Sequence, residues 1–169
     1  MSWPSAWPSK VLSASRGSLV ELRGTVNTST TGNDETIHAA LARFLIVRSA
    51  GHVEFTFDQC IGSFAIAKSH PAIASYVTSG LYTGRNPWPG TLVGRLSRLS
   101  NGWGQELDAF LREEDERRRR ELSFLVDRRN KIAHGLSEGI GRRKALDLCD
   151  MAVEVADWLV LRLDPRDLP

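Results

Sequence analysis

The sequence predicts an all-α fold, an up-and-down helical bundle with a long central helix and short accessory helices. Three observations predict it. Apolar residues recur at helical spacing from end to end, clusters of Gly, Pro, Asn and Ser punctuate them, and no series of alternating strands is found. The 169 residues, 41% hydrophobic and 25% charged, have the composition of an ordinary globular domain. A chain of this length hides roughly 70% of its unfolded surface and needs no metal or disulfide to hold it. One domain over residues 1–169 is therefore expected, with residues 1–33 as its N-terminal helix and loop.

A first helix is expected from about Ser9 to Val26, with Val11, Leu12, Leu19 and Leu22 as its apolar side. The polar run Asn27 to Asn33 is a loop, and Asn33 or Asp34 can cap the next helix. Ile37, Leu41, Phe44 and Leu45, then Val53, Phe57, Ile61 and Phe64, keep helical spacing from Glu35 to about Lys68, the long central helix. Ser69 to Pro71 breaks it, and a short helix over Ala72 to Val77 comes next. Ser79 to Gly90 is too rich in Gly and Pro to be anything but loop. Leu92 to Leu99 is another short helix. Trp103 to His134 is helical with an interruption near Arg112 to Glu121, and Gly135 is its C-cap. The last helix, about Arg142 to Leu163, carries Leu146, Cys149, Val153, Ala156 and Val160 and stops before Pro165.

Several function classes are excluded early. With 22 basic and 20 acidic residues the formal net charge is +2, so any attraction for nucleic acid must be local. The longest apolar runs, such as Phe44 to Val47 and Trp158 to Leu161, are four residues, far short of the roughly 20 that span a bilayer. No membrane association and no secretory signal are expected, which leaves the cytoplasm as the predicted compartment. Cys60 and Cys149 sit inside helical apolar patterns and are expected as reduced core thiols. His38, His52 and His70 have no metal-ligand spacing with each other or with cysteine, so they are expected in structural or surface positions, with no metal and no cofactor.

One arrangement resists explanation by packing. Arg129 falls on the stripe of Leu122, Leu125 and Ile132. A guanidinium facing the core must meet an acid or open onto a cavity that holds an anion. Asn130 and His134 are i and i+4, neighbours on one face just before the helix end. Glu54 on the central helix lies three residues before Phe57, beside an apolar stripe, and is expected to salt-bridge Arg129 or Arg128. Charge adds a local footprint. Arg112 to Glu121 balances five bases against five acids and reads as a solvated face, whereas Arg128 to Lys144 holds Arg128, Arg129, Lys131, Arg142, Arg143 and Lys144 against Glu138 alone. That net of +5 would attract a phosphate backbone. Tyr82, Arg85 and Trp88 in the loop either stack on unpaired bases or pack on the bundle.

The string Asp127 to Gly135, DRRNKIAHG, resembles the signature of the HEPN superfamily, an Arg followed after four to six residues by His, with a polar residue directly after the Arg. Arg129 to His134 fits with four residues between. The IAHG ending and the segment Arg48 to Ile61, RSAGHVEFTFDQCI, are most similar to the RiboL-PSP-HEPN branch, over roughly residues 30–163. The resemblance implies a metal-independent endoribonuclease whose site forms where two protomers join their motif helices across a twofold axis. It implies Arg129, His134 and Asn130 as catalytic, with Glu54 and Arg128 in support, and Lys131, Arg142, Arg143 and Lys144 binding RNA. Similar domains serve as toxins or in defence against phage, which implies an antitoxin or other neutralising partner. HEPN-like domains also occur as noncatalytic RNA- or nucleotide-binding and dimerisation modules, and that is the alternative.

Overall fold

The computed structural model describes residues 6–29, 34–136 and 139–166, and these form six helices and no strand. They are α1 (Lys10–Thr28), α2 (Glu35–Lys68), α3 (Pro71–Ser79), α4 (Pro89–Ser97), α5 (Asn101–Ala133) and α6 (Arg142–Arg162). Each predicted element is present, and the starts obey local chemistry. The Ser9 hydroxyl accepts from Leu12 N and the Asp34 carboxylate from Thr36 N, satisfying amides that a helix leaves unpaired at its first turn. Of the two residues expected to cap α2, Asp34 does so, and Asn33 lies outside the described residues, as does most of the loop before it. Pro71 and Pro89 open α3 and α4, where a missing N–H costs nothing.

α2 runs against α6, α1 lies on both, α5 meets α2 and α6, α4 packs on α5, and α3 on α2. One hydrophobic cluster joins α1, α2, α4, α5 and α6, with Leu19, Leu45, Phe57, Leu122 and Leu148 at its centre. Cys60 and Cys149 are buried free thiols, and burial pushes both thiols up. No described helix is long and apolar enough to cross a membrane.

Three expectations are corrected. Val11, Ile37 and Phe44, which their spacing places inward, are 55%, 42% and 52% exposed. At its start α2 buries the face of Ala42, Leu45 and Ile46, and at 100° per residue Phe44 and Ile37 fall outside that face. On α6 the core face runs through Ala145, Leu148, Ala152, Val155 and Leu159, so Val153 and Val160 sit at its edge, half-buried. The charged run is not only a solvated face. Glu114, Asp115 and Glu116 adopt left-handed backbone angles, which break α5 at the expected place, and each costs about 1–2 kcal/mol for a residue with a Cβ. Opposing that cost, Arg118 is buried at the break, held by Glu113, Glu114, Glu154 and the Phe110 carbonyl, over the Phe110 ring.

Two tight approaches lock the segment that borders the site. Gly104 on α5 abuts the end of α4, where a Cβ would lie 1.8 Å from Ser97 Oγ and 3.0 Å from Ser97 Cα. The loop between α3 and α4 is tied to α2 by Asp58, which is buried. Its carboxylate accepts from Tyr82 N at 2.8 Å and from Arg95 Nη2 at 2.6 Å.

Candidate active site at the end of α5

The motif helix stops in a fixed geometry. Gly135, at φ +74°, takes the left-handed turn that glycine makes without steric cost. Its N–H reaches Ile132 O and the N–H of Leu136 reaches Lys131 O, both at 3.0 Å, the paired bonds of a Schellman stop. His134 is therefore the capping residue, its backbone N–H on Asn130 O and its side chain exposed. No hydrogen bond or ion pair to the imidazole is found among the described residues, so both ring nitrogens stay open to a ligand.

Arg129 is half-buried, and its Nη1 donates to Asn86 Oδ1 at 2.8 Å and to Asn130 Oδ1 at 3.1 Å. The expected salt bridge from Glu54 to Arg129 or Arg128 is absent among the described residues. Glu54 stands close enough for the Arg129 charge to act on it. Even so, burial is the larger influence and raises its carboxyl above the usual range. The reason for the missing contact lies in the loop: Asn86 supplies a neutral acceptor where the acid is expected. An amide orients a guanidinium without cancelling its charge, so Arg129 keeps its positive charge for an anion, with Glu54 acting on it only from a distance. The guanidinium also borders a groove of about 570 Å³ between α1 and α2, where Ser15, Arg48, His52 and Phe55 stand.

Other expected residues scatter. Arg128 lies over the Phe124 ring at 4.6 Å, with Asp127 at 3.8 Å, and Lys144 approaches the same ring at 5.6 Å. The structure thus joins Arg128 and Lys144 at Phe124. Lys131 pairs with Asp127 at 3.2 Å, Lys144 with Glu121 at 3.4 Å and Arg143 with Asp147 at 3.3 Å. Acids from outside the counted window offset much of the net charge read along the sequence. Arg142 Nη1 donates to Ser29 O at the end of α1, a neutral acceptor.

Of the remaining histidines, His70 caps α3 through Nδ1, and His52 is buried with Nδ1 against Ser15 Oγ at 2.9 Å. Its imidazole is pushed down to about 4, chiefly by burial, with Arg16 and Arg48 opposing protonation and Asp157 favouring it. Among the described residues no three His, Cys, Asp or Glu side chains gather as metal ligands would. Asn86 is the site residue that sequence reasoning missed. The signal available was the run Asn86-Pro87-Trp88-Pro89, two prolines that stiffen a loop enough to aim a side chain.

No curated protein and no solved structure gives a significant match. The profile of one family, RiboL-PSP-HEPN, matches residues 18–163, from the middle of α1 to the end of α6. That span contains the capped helix end, Arg129 with its two amides, and the exposed His134. The chain belongs to the RiboL-PSP-HEPN family.

Proposed function

We propose that this protein is a metal-independent endoribonuclease that cleaves RNA by attack of the 2′-OH on its own phosphodiester. Family membership points to a ribonuclease or nucleotide-binding module of the HEPN kind. The observation that carries the finer reading is the state of Arg129, which is held by amides and, among the described residues, joined to no carboxylate at contact distance. An arginine recruited only for structure would be expected to meet the nearby acid, Glu54.

RNA brings its own nucleophile, so the protein has to move protons and stabilise charge. The 2′-oxygen attacks phosphorus while its proton passes to a neutral imidazole. The bond from phosphorus to the 5′-oxygen breaks, and an imidazolium returns a proton to that oxygen. The products are a 2′,3′-cyclic phosphate and a 5′-OH end. His134 serves in this proton traffic, alone or with His134 of the partner subunit, and Arg129 donates to the phosphate oxygens as negative charge grows on them. Asn130 keeps Arg129 aimed, and Glu54 shapes the field around it. A toxin or antiphage role, with a neutralising partner, is the setting that such an activity fits.

The test is incubation of the purified protein with total RNA in EDTA, wild type beside His134→Ala. Cleavage by the wild type alone, with cyclic phosphate ends, is the expected result. Persistent cleavage of a substrate with 2′-deoxy at the scissile position would exclude the 2′-OH mechanism.

A further inference from the structure

Beside the loop that holds Arg129 lies a second cavity of about 500 Å³, enclosed by α3, the α3–α4 loop and α4. Its floor is apolar, formed by Phe57, Ile61 and Leu81, and its rim carries Arg85, Arg95 and Arg98. Among the described residues no acid lines it. The charge of Arg95 is already taken, because Asp58 holds it at 2.6 Å. Arg85 and Arg98 are exposed and have no hydrogen-bond or ion-pair partner among the described residues, so two positive charges stand uncompensated at the rim. Tyr76, on the same cavity, is 81% exposed and offers a free ring.

An apolar floor, a free aromatic ring and two unpaired guanidinium groups match the two halves of a nucleotide, a base to stack and a phosphate to bind. Pockets for ligands of that size run from roughly 300 to 1,000 Å³. Position decides which nucleotide. Arg85 directly precedes Asn86, whose side chain accepts from Arg129, so the rim of this cavity and the candidate catalytic arginine share one stiff stretch of backbone. A strand whose scissile phosphate rests on Arg129 would meet this rim one residue along the backbone from Asn86. We propose that the cavity is a subsite for a nucleotide flanking the scissile one in single-stranded RNA, with its phosphate on Arg85 and Arg98 and its base on Tyr76. The proposal rests on the reading of this protein as an RNA-cleaving enzyme, and it places substrate recognition away from the Arg142 to Lys144 cluster.

The experiment measures binding of a short labelled single-stranded RNA to the full chain carrying His134→Ala, so that cleavage does not intrude. Arg85→Gln with Arg98→Gln should weaken binding about tenfold or more at low salt. It should also reduce the slope of log K against log salt by about 0.7, the share of one phosphate on a single strand. Tyr76→Ala should weaken binding about fivefold or more, in line with the loss of one stacked base, and leave the slope unchanged. All three side chains are exposed, so melting temperatures should not move. Unchanged affinity and slope in the double arginine variant overturn the subsite, as does an equal loss of binding to polyglutamate that leaves RNA binding intact. If these losses appear while the wild type cleaves no RNA, the subsite stands and the proposed chemistry falls.

Discussion

Removing the Arg129 side chain takes away hydrogen bonds to two carboxamides, Asn86 and Asn130, and among the described residues strands no carboxylate at contact distance. The expected stability cost of Arg129→Ala is therefore about 1.5–3 kcal/mol, the range for hydrogen bonds made by a charged group, below the roughly 3–5 kcal/mol of a broken buried ion pair. His134→Ala, at an exposed position, should leave the melt unchanged. Both should lower cleavage by on the order of 100-fold or more, since proton transfer and phosphate stabilisation are each typically worth that much. RNA affinity separates them: it should fall for Arg129→Ala and hold for His134→Ala, read by anisotropy beside a melt.

His52 gives a pH signature at the same scale. Its folded imidazole sits near 4 against an ordinary 6.5. As pH falls below about 6.5 the unfolded chain takes up a proton that the folded chain refuses, so stability declines until about pH 4. The shift corresponds to about 3 kcal/mol over that window. His52→Asn should flatten this part of the stability curve, whatever it does to stability at neutral pH, which urea titrations at several pH values would read. The motif string and stripe position made Arg129 legible in the sequence. Its true partner was not legible, because Asn86 is 43 residues away and no periodicity reports on a loop that crosses back.

At the scale of elements, the loop carrying Asn86 is only as precise as its anchors. Asp58→Ala removes the acceptor for Tyr82 N and leaves the Arg95 guanidinium without its acid at a largely buried position. A loss of about 3–5 kcal/mol is expected, with cleavage falling because Asn86 no longer aims Arg129. Gly104→Ala acts from the other side of the same segment. Its new methyl would collide with Ser97 at the backbone as well as the side chain, and overpacking of this kind costs about 1–3 kcal/mol. Thermal melts of both variants, against Gly102→Ala as an uncrowded control, check this. Helix positions were readable in the sequence since capping and proline placement are local. Inward and outward faces were misread at Val11 and at the start of α2, where Ile37 and Phe44 lie outside the buried face, while Val53, Phe57 and Ile61 at its centre are buried as expected. The centre of α2 buries Ser49, His52, Thr56 and Asp58 together with its apolar residues, and a single stripe cannot describe that.

For the whole molecule, one Arg, one Asn and one His are few groups for a reaction that needs both a base and an acid, and a twofold axis doubles them. The exposed end of α5, with His134 and the 55% exposed Leu136 beyond it, leaves a polar group and an apolar neighbour open to a second copy. A homodimer with the ends of α5 near the axis is expected, and sedimentation at tens of micromolar, about the concentration that fills a micromolar interface, should show it. A monomer under those conditions would remove the composite site. The sharper measurement mixes two dead variants. If Arg129 of one protomer serves the same phosphate as His134 of the partner subunit, a His134→Ala protomer paired with an Arg129→Ala protomer rebuilds one intact site in two. Random exchange makes half the dimers mixed, so about a quarter of wild-type activity should return on mixing. A mixture that stays dead, from variants shown to exchange subunits, would mean either that each site draws Arg129 and His134 from a single chain or that a site needs both copies of His134.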